Sequence, residues 1–323
     1  MKIGKLTNDQ LRSVVLSKLT RKHDVLLGAD IGEDCAALDF GGEACVMSTD
    51  PITGASANIG TLAVHISAND VASSGARPTA MLITMLIPPH LTLGDIERVC
   101  ADMAKTADEL DIDIIGGHTE VTDAVSRIVI STTVFGRIAS DKLIRSSGAQ
   151  PGDDIVMTKY AAIEGTYIIS NDHMDKLDGV LSEGELDEAR RLIGSLSVLD
   201  EGMIGAACGV SAMHDVTEGG VLGAVHELCD ASGCGCLLYR DDISVLGATR
   251  KICDTLNLDV YRLIGSGSML ITTPDSAALL KALSQSGINA AVIGRMSAEG
   301  RNVMSNGVTE TLLPPGKDEL FSL

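Results

Sequence analysis

Aromatic side chains are almost missing from this 323-residue chain: there is no Trp, and aromatics make up 2% of the residues. Its core must therefore be built from Ala, Val, Ile, Leu and Met, which suits mixed helix and sheet better than an aromatic-rich β-sandwich. Basic residues are also scarce, with 25 Lys and Arg against 44 Asp and Glu, for a net charge of −19. Such a chain repels nucleic acid, and no Lys/Arg run offers a basic patch. No apolar run is long enough to span a bilayer, and the N-terminus lacks a signal-peptide apolar region. A cytoplasmic protein with no nucleic-acid or membrane partner is expected. There is no CxxC pair, no GxxxxGK[ST] phosphate loop, no HExxH and no GxSxG. The eight cysteines, at 35, 45, 100, 208, 229, 234, 236 and 253, fall mostly in apolar stretches and read as buried reduced thiols.

The length suits two domains of about 150 residues each. A capping box at Thr7-Asn8-Asp9-Gln10 predicts a first helix start. Residues 28–34 read as a loop, 44–49 as a buried strand ending at Asp50, and 59–74 as a helix carrying Asp70. A strand is expected over 81–87, an amphipathic helix over 92–110, and a short strand over 112–115 running into Gly116-Gly117-His118-Thr119-Glu120. Residues 128–135 alternate as a further strand. Pro151-Gly152 suits a type II turn and places a boundary between domains 1–150 and 151–323. Beyond it, strands are expected at 155–158, 269–273 and 291–293, and helices near 186–192, 199–208 and 220–231. Residues 314–323 read as surface chain.

Four acidic motifs stand out: Gly32-Glu33-Asp34, Ser48-Thr49-Asp50, Asn69-Asp70 and His214-Asp215-Val216-Thr217-Glu218-Gly219-Gly220. Each Asp alone fits a turn or cap. Gathered in one cleft, they would form an oxygen-rich site for a hard divalent cation, as when Mg²⁺ carries nucleotide phosphates. An acidic protein needs such a cation to hold an anionic nucleotide. Gly116-Gly117-His118 fits either a tight turn with a surface His or a backbone that approaches phosphate or ribose. Thr217 fits either a helix N-cap or an anion site at the helix start. Arg145, beside Ser146-Ser147-Gly148, fits either a surface residue or a guanidinium that grips phosphate.

In this order the motifs resemble the PurM-like (AIR synthase-related) superfamily. It includes aminoimidazole ribonucleotide (AIR) synthase, thiamine-monophosphate kinase, selenophosphate synthetase and HypE. The stretches that carry the likeness are Gly32-Glu-Asp-Cys-Ala-Ala, Ser48-Thr-Asp, Ala68-Asn-Asp-Val-Ala with Gly75-Ala-Arg-Pro, Gly116-Gly-His-Thr, Ser147-Gly-Ala-Gln-Pro-Gly-Asp and Asp215-Val-Thr-Glu-Gly-Gly. The resemblance implies a two-domain α/β (α+β) fold. An N-terminal mixed sheet would form an intersubunit barrel in a homodimer, and a C-terminal α/β sandwich would follow. It implies ATP and Mg²⁺, with Asp34, Asp50, Asp70 and Asp215 as metal ligands and Thr49 and Glu218 supporting them. Gly117, His118, Arg145 and Thr217 would contact nucleotide, and His118, Arg145 and Glu218 would act in catalysis.

The chain is most similar to HypE-like hydrogenase maturation proteins, which implies activation of a carbonyl or amide oxygen by phosphorylation. It departs from HypE in having no Cys after Cys253, where HypE ends in a carrier Cys. The acceptor is therefore expected to be a small molecule or a group borne by another protein, such as a maturation partner. The alternatives are a small-molecule kinase resembling thiamine-monophosphate kinase, which has Asp where this chain has His118, and a non-catalytic nucleotide-binding partner in a maturation complex.

Overall fold

The computed structural model describes residues 7–19 and 24–323. Thr7 caps a single turn, α1 (Asn8–Gln10), through the expected capping box. The first half continues with β1 (Val25–Leu27), β2 (Ala36–Asp39), β3 (Glu43–Ile52), α2 (Ile59–Ser73), β4 (Arg77–Ile87), α3 (Leu93–Glu109), β5 (Asp113–Val121) and β6 (Val129–Ala139). The second half comprises β7 (Asp154–Thr158), α4 (Ile163–Asp172), α5 (Glu183–Arg191), α6 (Leu199–Cys208), β8 (Ala212–Asp215), α7 (Gly220–Ser232) and β9 (Gly235–Tyr239). It ends with α8 (Gly247–Leu256), β10 (Met269–Thr273), α9 (Ser276–Gln285), β11 (Ala290–Ser297), β12 (Arg301–Ser305) and β13 (Val308–Thr311).

The strands form two mixed sheets, one in each half, as the α/β reading expects. The first runs β1-β2-β3-β6-β4-β5 and the second β13-β12-β9-β11-β7-β10-β8. Among the described residues only β4–β5 and β12–β9 pair in parallel; the other pairs are antiparallel. Gln150 to Asp153 make the expected turn, closed by the Asp153 amide on the Gln150 carbonyl at 3.0 Å, with Gly152 at φ +101°.

Helix α2 lies on the first sheet and also touches α6 and β8 of the second half. It is buried all round rather than along one stripe, as an interior helix must be. Asn69, wholly buried on α2, donates to the Leu196 carbonyl at 2.8 Å and accepts from the Val198 amide at 2.9 Å. That pair ties the helix carrying Asp70 to the second half.

Four expectations need correction. The glycines after Ile115 do not leave the sheet: β5 runs straight through Gly116 and Gly117 to Val121. At Gly117 the reason is packing, since a Cβ there would meet the Ile83 carbonyl oxygen at 1.8 Å. Thr217 is not the cap of α7; Gly219 is, at φ +89°. The tail is not simple surface chain, because Asp318 and Leu320 are buried and Lys176 donates to the Leu323 carbonyl at 2.6 Å. Finally, all eight thiols are free, but Cys100 and Cys208 are exposed.

Candidate functional site

The loop after β1 brings in Asp34. Gly32 allows this in two ways: its φ is +75°, and a Cβ there would meet the Glu227 carbonyl oxygen on α7 at 2.6 Å. Strand β3 presents Ser48 and Asp50 on its α2 side. The Ser48 hydroxyl donates to Asp70 Oδ2 at 2.6 Å, and Asp50 lies within hydrogen-bonding reach of Asp70. The end of β8 supplies His214 and Asp215, both buried.

Four aspartates from four separate segments therefore converge. Burial pushes the Asp70 carboxyl well above its ordinary range, and Asp215, Asp50 and Asp34 push it further. Cys35 sits among the same four. Its thiol donates to the Asp70 carbonyl at 2.9 Å, and burial followed by the carboxylates drives its pKa well up. That thiol stays protonated and is no nucleophile.

Hydroxyls hold the carboxylates in place. Asp34 Oδ2 accepts from Ser73 at 3.0 Å and from Ser146 at 3.2 Å. Its other oxygen, Oδ1, lies 2.7 Å from His214 Nδ1, and His214 Nε2 lies 3.2 Å from Glu227 Oε2. Burial alone would lower the His214 pKa; Asp34 first and Glu227 next raise it well above the ordinary value.

Arg145 opens onto a cleft of about 210 Å³ beside this cluster, lined also by Arg12, Gly28, Asp30, Glu33 and Ser147. Its guanidinium donates to the Leu26 carbonyl at 3.1 Å, and Glu33 accepts from the Ser147 amide at 3.1 Å. The cleft thus has two guanidiniums and the carboxylates of Asp30, Glu33 and Asp230 at its walls, with the aspartate cluster next to it.

The other expected residues lie elsewhere in the single chain. Thr49 faces the opposite side of β3 from Asp50 and pairs with the Thr133 hydroxyl at 3.0 Å. Gly117 and His118 are on the exposed edge strand β5, where His118 meets Glu120 at 3.4 Å. The Thr217 carbonyl accepts from the amides of Gly220 and Gly265. Glu218 faces Glu164 and Asp318, a second acidic group in which burial raises Glu164 to about 7 and Asp318 to about 6. Asp318 accepts from the Gly219 amide at 2.6 Å, so the tail covers the start of α7. Sequence reading gave no role to His214, Glu227, Ser73, Ser146, Glu164 or Asp318. His214 and Ser146 carried a signal, as the neighbours of Asp215 and Arg145 in the sequence.

Residues 32–138 match the N-terminal domain of AIR synthase related proteins, and residues 150–305 match the C-terminal domain. The chain belongs to the AIR synthase related family. Among its relatives is the carbamoyl dehydratase HypE of Escherichia coli, 31% identical over 280 residues, which cover 82% of this chain and 81% of that protein. HypE of Cupriavidus necator is 30% identical over 283 residues, covering 84% and 78%. The crystal structure of E. coli HypE superposes with a TM-score of 0.74 at 27% identity, covering 85% of this chain and 87% of that one. The two-domain PurM-like fold is thus the family's own. HypE in complex with ATP, at 23% identity and a TM-score of 0.71, shares the fold.

Proposed function

We propose that this protein is a HypE-like enzyme that uses ATP with Mg²⁺ to activate a carbonyl or amide oxygen by phosphorylation. The observation that carries the reading is the convergence of Asp34, Asp50, Asp70 and Asp215 beside the Arg145 cleft. Kinship with carbamoyl dehydratases supports the class of chemistry. The donor set fits Mg²⁺: the groups are carboxylates, hydroxyls orient them, and their mutual repulsion at Asp70 is what a cation relieves.

Asp34, Asp50, Asp70 and Asp215 would hold the ion, which when bound neutralises phosphate charge. Ser48, Ser73 and Ser146 fix the carboxylates before ligand arrives, so little ordering is left to do on binding. We assign Arg145 and Arg12, which line the cleft, to the phosphate oxygens as charged donors. The loop Val216–Gly220 leads into α7, and we assign Thr217 and Glu218 there to the nucleotide and acceptor side. His118 and Gly117 would reach a nucleotide only from a strand edge, so we assign them to the face where a second copy pairs. The acceptor is a small molecule or a group on a partner protein. Residues 1–150 are the nucleotide-binding and dimerisation unit in this reading, and 151–323 complete the cleft.

Calorimetry tests the proposal. ATP should bind with Mg²⁺ or Mn²⁺ and not in EDTA, and Asp70→Asn should weaken binding by over tenfold, about 1.4 kcal/mol. Equally tight ATP binding in EDTA would refute the metal-dependent site.

A further inference from the structure

The ammonium of Lys159 lies outside the acidic cluster, just past the end of β7, on a side chain that is 17% exposed. It donates to the carbonyls of Ser195 at 3.2 Å, Gly267 at 3.0 Å and Ser197. Glu201 Oε1 on α6, from a side chain only 2% exposed, lies 2.7 Å away. Three carbonyl oxygens and a carboxylate in one secluded place repel one another unless a cation stands among them. Lysine supplies that cation as a compact charge with three donors.

The backbone is bent to put it there. Lys159 has φ +54° and Ala162 has φ +58°, both in the left-handed region where a residue with a Cβ is strained. Such strain persists only where the surroundings enforce it. The segments that the ammonium joins are also pressed together: a Cβ on Gly267 would meet the Ser195 carbonyl oxygen at 2.8 Å.

Those segments are the two supports of the aspartate cluster. On one side, Leu196 lies between two of the acceptors, and its carbonyl and the Val198 amide hold Asn69, the residue before Asp70 on α2. On the other side, Ser268 follows the third acceptor. Its carbonyl takes the Val216 amide at 2.9 Å, and Met269 pairs with Asp215 across β10 and β8. The charge is felt on α2 as well. Burial first and Lys159 next hold His65, five residues before Asp70, down to about 4, so the ring stays neutral near the ammonium.

We infer that Lys159 is a positioning residue: its ammonium locks residues 195–198 to residues 267–269 and thereby fixes Asp70 against Asp215. The two carboxylates come from opposite halves of the chain, and this joint sets their register before any ligand arrives. The inference rests on the acidic cluster being the Mg²⁺–ATP site, as proposed above, and adds a residue that touches neither ion nor nucleotide.

The test measures the Mg²⁺ concentration that half-saturates ATP binding, by calorimetry, beside urea unfolding and amide hydrogen exchange, all on the full-length protein. Lys159→Met alone strands the buried Glu201 carboxylate. It is therefore combined with Glu201→Leu, which replaces the ion pair by apolar groups and limits the loss of stability. The double variant should need about tenfold more Mg²⁺ or beyond. Its Val198 and Val216 amides should exchange faster than the change in unfolding explains. Lys159→Arg keeps the charge and the Glu201 pair, but its planar fork cannot aim at three carbonyls around one nitrogen. It should show a smaller rise in the Mg²⁺ requirement, and it decides the matter if the double variant fails to fold. Val303→Ala, in the core on β12, should lower stability and leave the Mg²⁺ requirement unchanged. A wild-type Mg²⁺ requirement in the folded variant overturns the inference, and so does unchanged exchange at both amides. A rise of the same size in Val303→Ala also overturns it, because plain destabilisation then accounts for the effect. A wild type that binds ATP equally well in EDTA, or not at all, removes the Mg²⁺–ATP reading instead, and faster exchange at Val198 and Val216 in the variants then leaves the Lys159 joint standing without it.

Discussion

At the scale of single residues, Glu164 makes the clearest prediction outside the aspartate cluster. Burial raises its carboxyl to about 7, and the nearby Asp318 and Glu218 add to the shift. A raised carboxyl favours folding when protonated. That contribution is complete below the ordinary value of 4.5 and disappears as pH rises through about 7. Glu164→Gln keeps the neutral shape, so it should stabilise the protein at pH 8 by roughly 2–3 kcal/mol and have little effect near pH 5. Urea unfolding at the two pH values measures this, and a gain independent of pH would refute it. Asp318, raised to about 6, acts in the same direction, but it also caps the Gly219 amide, so its removal mixes two effects. The aspartates of the site were legible because each lies in a short motif that also holds glycine, serine or asparagine. Their partners were not. Ser73, Ser146 and Glu227 come from separate segments and meet only in the fold, and Glu164, at the start of a helix, reads in sequence as an ordinary first-turn charge.

At the scale of elements, helix α2 decides how the two halves meet. Small residues let its neighbours approach. A Cβ on Gly60 would meet the Val99 carbonyl oxygen of α3 at 2.5 Å, and one on Gly202 of α6 would meet the Ala72 carbonyl oxygen at 2.3 Å. Gly202→Ala must push α6 off α2 two residues from Asp70. We expect a loss of about 1–3 kcal/mol in urea unfolding, together with weaker ATP binding than the stability loss alone explains. Unchanged stability would mean that the helices slide freely, contrary to the packing. Long elements with strong signals were readable: α3 has Thr92 at its N-cap with a capping box, and α2 has its run of small apolar residues. Short ones were not. Strands β12 and β13 have five and four residues, and β13 is exposed throughout, so no buried alternation marks it. The extent of β5 was missed because its glycines look like a turn, and the close approach of Ile83 that explains Gly117 is seen only in the fold.

At the scale of the whole molecule, one face of the first sheet is covered by α2 and the other is open. Strand β5 forms the edge, and all nine of its residues are exposed. Ile115 is 61% exposed, Val121 60% and Ile114 40%, and Leu82 on β4 beside them is 38% exposed. A long edge strand with exposed apolar side chains templates pairing with another chain, and soluble proteins normally blunt such edges with charge, proline or a covering element. Here the strand carries Asp113 and Glu120 near its ends, but its middle is Ile-Ile-Gly-Gly. The −19 charge disfavours indiscriminate aggregation, because like-charged copies repel except where apolar surfaces match. A specific two-fold pairing of first sheets would bury the edge and the open face together, as the resemblance to the family implies. Sedimentation at micromolar concentration should therefore give twice the chain mass of 33.6 kDa. Ile115→Lys places a charge on the edge without touching the α2-covered core, so it should shift the protein towards monomer while leaving its thermal unfolding nearly unchanged. His118 stands three residues along the same strand. If the paired edge contributes to the nucleotide site, Ile115→Lys should lower ATP affinity in parallel with dimer loss, and raising protein concentration should restore both. A wild type that sediments as a monomer would refute the pairing. A monomeric Ile115→Lys variant that binds ATP normally would confine the nucleotide site to one chain and remove His118 from it.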